Sequence, residues 1–165
     1  MQSLDPLRPS VLAAERGEEE AVLAWLDGGG RADATYERDG VSGITLLMGA
    51  AGNGHERLIE LLLRHGAEII LQSSNGSTAL MYAAENGRER VVDLLIQHGA
   101  EVNMQDSDGY TALMFAAENG RELVVELLLQ HGAEISLQRR RRHRADGRRL
   151  HRPRAGSRLA HSARR

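Results

Sequence analysis

The segment Gly76-Ser77-Thr78-Ala79-Leu80-Met81-Tyr82-Ala83-Ala84-Glu85-Asn86-Gly87 returns 33 residues later as Gly109-Tyr110-Thr111-Ala112-Leu113-Met114-Phe115-Ala116-Ala117-Glu118-Asn119-Gly120. A looser copy, Gly43-Ile44-Thr45-Leu46-Leu47-Met48-Gly49-Ala50-Ala51-Gly52-Asn53-Gly54, lies 33 residues earlier. A fixed period of this length marks a stacked array, in which each unit buries its apolar face against its neighbours and none is stable alone. The same period constrains function, because an array offers an extended surface in place of a single enclosed pocket.

Within the middle copy, Thr78 stands where a hydroxyl can cap the amide one turn on, and Ala79 opens a helix well. Leu80, Met81, Ala83 and Ala84 form an apolar stripe at helical spacing, and Gly87 falls where a helix ends in a left-handed residue. A second helix is predicted from about Arg88 to His98, where Val91, Val92, Leu94 and Leu95 repeat the stripe until Gly99. Residues 100–109 read as a turn-rich connector. Helices of about 8–10 residues do not persist singly in water, so neighbours must stabilise them. The alanine pairs Ala50 and Ala51, Ala83 and Ala84, Ala116 and Ala117 suit close backbone approach. Leu61, Leu62, Leu63, Leu94, Leu95, Leu127, Leu128 and Leu129 are expected to fill the layers between units.

The motif Gly-x-Thr-Ala-Leu-Met-x-Ala-Ala-x-Asn-Gly, followed by Val-Val-x-Leu-Leu and His-Gly-Ala-Glu-Val-Asn, resembles the ankyrin repeat over residues 43–138. The resemblance implies an all-α solenoid of helix–turn–helix repeats of 33 residues, with repeats at about 41–73, 74–106 and 107–138. It also implies a non-catalytic protein–protein interaction module, a scaffold or adaptor without a cofactor. Family members usually carry Pro-Leu-His after the threonine, where this chain has Ala-Leu-Met or Leu-Leu-Met. Apolar packing of Met48, Met81 and Met114 is therefore expected in place of the family's histidine–threonine hydrogen bond. His55 matches a structural histidine of the family. Asn103 matches a connector asparagine that asparaginyl hydroxylases modify in some members, and a turn-stabilising role is the competing account.

Partner contacts in this family come mainly from the turn tips and the outer part of the first helix. Mapped onto this chain they are Ser74, Asn75, Ser77, Ser107, Asp108 and Tyr110 at the tips, with Glu85 and Glu118 on the helices. Val41, Ser42, Ile44, Asn53, Asn86 and Asn119 lie beside them. Tyr110 is the expected anchor, since an exposed tyrosine provides a large contact area for little entropy. Tyr82 and Phe115 are assigned to the core.

Residues 1–40 read as a degenerate capping unit: Val11 to Gly17 matches a first helix and Ala21 to Leu26 a second. Ala13 precedes Ala50 by 37 residues, which places about four inserted residues in the connector Gly28–Ser42. Glu18, Glu19 and Glu20 supply the polar outer side that an end repeat needs, and Trp25 is expected over the end of the core. From Arg139 the pattern stops. Without a following cap, Val124, Val125, Leu127 and Leu128 are expected to be partly exposed and to promote association.

Net charge is −2, but it is unevenly spread. Residues 139–165 hold twelve arginines and one acid, a net +11, while residues 1–138 hold nine arginines and 22 acids, a net −13. The last segment is read as a disordered basic tail, and Arg139, Arg140, Arg141, Arg142 and Arg144 as a candidate nuclear-import signal or nucleic-acid arm. Binding there would be phosphate-driven and salt-sensitive. An out-of-frame reading of a further repeat is another account of the tail. The chain lacks cysteine, which excludes disulfides and thiolate chemistry. No run is apolar enough to suggest a membrane helix or a signal peptide, so a protein of the cytoplasm or nucleus is expected. His65, His98 and His131 recur at the period, about 8–10 Å apart by helix packing, too far to converge on one zinc ion with ligands at about 2.1 Å. They are expected to serve helix C-termini. No phosphate loop, nucleophile elbow or metal-ligand pair is present, and no enzymatic activity is expected.

Overall fold

A computed structural model describes residues 8–135. Four antiparallel helix pairs stack in chain order: α1 (Arg8–Arg16) with α2 (Glu19–Asp27), α3 (Leu46–Asn53) with α4 (Glu56–Arg64), α5 (Ala79–Glu85) with α6 (Glu89–Gln97), and α7 (Ala112–Glu118) with α8 (Glu122–Gln130). First helices pack on first helices, α1 on α3, α3 on α5 and α5 on α7, and second helices likewise along α2, α4, α6 and α8. Each layer is sealed by small side chains. Ala50, Ala51, Ala83, Ala84 and Ala116 are buried, as are Leu62, Leu95 and Leu128. Leu61, Leu63, Leu94 and Leu127 pack at the margins, and Leu129, expected in a layer, faces outward.

The threonines do what their position demands. Thr45, Thr78 and Thr111 each take extended backbone, and their hydroxyls accept from the amides of Met48, Met81 and Met114 at 3.2, 3.3 and 3.3 Å. Each such cap stabilises its helix by about 1 kcal/mol. Met48 adds a reciprocal contact, its sulfur accepting from the Thr45 amide at 3.4 Å. The first helices end at Gly54, Gly87 and Gly120, all in the left-handed region.

Side-chain clamps tie each repeat to the one before it. His55 Nε2 lies 2.7 Å from the Glu15 carbonyl, and Arg88 and Arg121 donate from Nε to the carbonyls of Gly52 and Glu85 at 3.2 and 3.1 Å. These three residues share one position in the repeat, so the histidine is structural, as expected. His65 Nδ1 likewise meets the Leu61 carbonyl at 2.9 Å, at the end of α4.

The departure from an all-helical chain is an antiparallel hairpin, β1 (Thr35–Arg38) and β2 (Val41–Thr45). It occupies the long connector: eighteen residues separate α2 from α3 (28–45), against fourteen before α5 (65–78) and fourteen before α7 (98–111). Asp39 and Gly40, with φ of 51° and 78°, make the two-residue turn whose twist suits a hairpin. Ser42 and Gly43 together oppose Glu37, a bulge that the left-handed Gly43 permits. The insertion has a packing role. Repeats three and four carry Tyr82 and Phe115 at a position that is Gly49 in repeat two, and Tyr36 of the hairpin lies over that glycine. Burial, with the nearby Glu15 carboxylate second, raises the Tyr36 pKa well above that of a free phenol. Arg38 pairs with the same carboxylate. At the N-terminal end Trp25 is half-buried, its indole covering Gly30 so closely that any Cβ there would overlap the ring.

Candidate partner-binding ridge

The turn glycine of each repeat must adopt positive φ to bring the chain back over its first helix, and Gly76 and Gly109 do so at 79° and 81°. Gly76 has a second reason to lack a side chain: a Cβ would stand 2.7 Å from the Ser107 amide. That closeness lets the turns join. Ser74 donates its amide to the Ser42 carbonyl at 2.9 Å, and Ser107 donates to Asn75 at 3.0 Å. The tips therefore form one hydrogen-bonded row across three repeats.

Within each tip an acceptor side chain organises the backbone. Asp106, buried, accepts from the amides of Asp108 and Tyr110 at 2.9 and 2.8 Å. In the preceding turn Ser73, at the position of Asp106, accepts from the Ser77 amide at 3.2 Å, and Asn75, two residues on, accepts from the Ser73 hydroxyl at 2.5 Å and from the same amide at 3.3 Å. Ser74 is exposed; Asn75, Ser107 and Asp108 are half-exposed beside it. Glu85 and Glu118 stand half-exposed at the ends of α5 and α7, on the adjoining helix surface. Asn53, Asn86 and Asn119 occupy themselves locally, each donating to the carbonyl four residues back at 2.8 Å.

Two expected contact residues are placed differently. Ser77 is buried, as is Ile44 at the same position of the preceding repeat. The side chain after the turn glycine points back onto its own repeat, so this position follows a packing rule. Tyr110 obeys it as well. Its ring lies 5.3 Å from that of Phe115, and its hydroxyl donates to Glu118 Oε1 at 3.0 Å. Tyr110 is thus half-buried against its own repeat. Phe115 is fully buried and Tyr82 partly so, packed against the core.

The hairpin adds residues that the sequence reading did not single out. Glu37, Asp39 and Gly40 are exposed at its tip, and Ser42 carries the hairpin into the row of turns. The Asp39-Gly40 pair between two short β-prone runs was the available signal. With Glu85, Asp108 and Glu118, these acids make the ridge negative. Arg139, Arg140, Arg141, Arg142 and Arg144 lie outside the described residues. Asn103 turns out to be a tie between repeats: Oδ1 accepts from the Glu134 amide at 2.9 Å and Nδ2 donates to the Gly132 carbonyl at 3.1 Å. No helix among the described residues is long and apolar enough to cross a membrane.

A family model for ankyrin repeats, in three copies, matches residues 10–106 and 47–139. No curated protein matches the chain.

Proposed function

The chain belongs to the ankyrin-repeat family, and from that premise we propose that it captures a protein partner along the row of turn tips and the first-helix surface beside it. Ankyrin repeats are generally protein–protein interaction modules. The supporting observation is the pair of bonds from Ser74 to Ser42 and from Ser107 to Asn75, which fixes the tips relative to one another. A surface ordered before binding loses little entropy on association, so modest contacts suffice for affinity. Glu37, Asp39, Glu85 and Asp108 favour a partner with basic side chains on the contacting face.

The test is affinity capture with wild-type bait and with two variants at exposed or half-exposed sites. Asn75→Arg disturbs the ridge, and Arg57→Glu alters the exposed side of α4. A partner retained by Arg57→Glu and lost with Asn75→Arg supports the proposal; the opposite pattern removes it. The +11 charge of residues 139–165 supports a second reading, binding to nucleic acid or an import receptor. Duplex DNA binding that weakens steeply with salt and vanishes on deleting 139–165 would establish that reading instead.

A further inference from the structure

We propose that the outer face of the last described repeat is a self-association surface, and that two copies of this chain meet there face to face. The internal layers show what such a face is built to contact. Met48, Ala51 and Ile59 on the C-terminal side of repeat two are buried by repeat three, and Met81, Ala84 and Val92 of repeat three by repeat four. In repeat four the same positions hold Met114, Ala117 and Val125, as apolar as before, yet Met114 and Val125 are only half-buried and Ala117 is exposed. Leu129 and Ile135 extend the patch at 40% and 78% exposure. Val124 and Leu128, expected to be partly exposed, are instead buried, being turned into the stack, while Val125 and Leu127 are half-buried as expected. The last described repeat is thus built like an internal one, where an end repeat would carry a polar outer side.

The opposite end is different, and the difference decides the symmetry. Its exposed acids Glu18, Glu19 and Glu20 stand at the turn from α1 into α2, and Leu12 and Leu23 are 41% and 36% exposed on those helices. A head-to-tail contact would put an apolar face on that acidic end and could propagate into a filament, whereas face-to-face contact of the C-terminal sides closes at two. Two helices side by side, each about 10 Å across, bury on the order of 500–600 Å² per copy, and so about 1,000–1,200 Å² in all. That lies at the low end for specific interfaces and implies a Kd on the order of 1–100 μM. Glu122 and Glu126 are exposed on α8 near the seam, so salt should tighten the contact by screening the like charges.

Sedimentation equilibrium of the full chain across this concentration range tests the proposal. The expected result is a monomer–dimer equilibrium that tightens with salt. Leu129→Glu and Ala117→Arg, each at an exposed position, should raise Kd about tenfold or more, while Leu12→Glu leaves it unchanged. Thermal melts establish that the variants fold, and Ala117→Arg reads the seam alone if Leu129→Glu does not. A chain monomeric throughout, species beyond the dimer, or sensitivity to Leu12→Glu would overturn the proposal. So would weakening with salt, which would assign the face to a basic segment such as residues 139–165.

Discussion

Gly49→Ala should destabilise the wild-type chain, yet be neutral or stabilising once Tyr36 is phenylalanine. Gly49 lies within α3 in ordinary helical conformation, so replacing it with alanine should gain about 1 kcal/mol of helix propensity. Against that, the new Cβ would stand 2.7 Å from the Tyr36 hydroxyl, closer than atoms pack. The phenol cannot swing away freely, because β1 is paired to β2 at Tyr36 and Ile44. Overpacking of this kind costs about 1–3 kcal/mol, enough to cancel or exceed the propensity gain. Removing the hydroxyl leaves the ring carbon that bore it 3.7 Å from the new methyl, an ordinary contact. The propensity term then acts alone. Urea unfolding of wild type, Gly49→Ala, Tyr36→Phe and the double variant gives the coupling, expected at about 1–3 kcal/mol in favour of the pair. If Gly49→Ala has the same effect in both backgrounds, Tyr36 does not fill the space above α3 and the packing account of the hairpin is wrong.

The same tyrosine sets an alkaline limit. A folded pKa raised above the unfolded value near 10 contributes stability that is complete below about pH 10 and lost as pH climbs toward the folded value, so Tyr36→Phe should flatten the stability profile above pH 10. Ile70 occupies the connector position of Asp33 and Asn103 but lacks their bond to the next repeat, and it is 50% exposed. Two new bonds at about 0.5–1.5 kcal/mol each, less about 1 kcal/mol of lost burial, make Ile70→Asn stabilising by about 1 kcal/mol; an unchanged or lowered denaturation midpoint would count against the tie. Thr78→Ala should cost about 1 kcal/mol by removing the cap of α5, read as a lower melting temperature with helical circular dichroism retained.

The first helices of repeats two to four were legible because three independent signals agree in each: a threonine cap, a stripe at helical spacing and a terminal glycine. The hairpin was less visible, since an insertion in a periodic chain reads first as a longer connector, although Asp39-Gly40 announced a tight turn. Paired valines posed a different difficulty. Val124 and Val125 are identical in type, and only the direction of the stack decides that one faces inward and the other the open end. The packing of Tyr110 was not legible because side-chain variety at its position, with isoleucine, serine and tyrosine in the three copies, resembles freedom from packing. Yet Ile44 and Ser77 are buried there and Tyr110 is half-buried.

Clamps such as Arg88 to Gly52 and Arg121 to Glu85 join only adjoining units. A pull along the stack therefore loads its seams one at a time, and the chain should lengthen in steps of one repeat, like beads leaving a string, without a single catastrophic rupture.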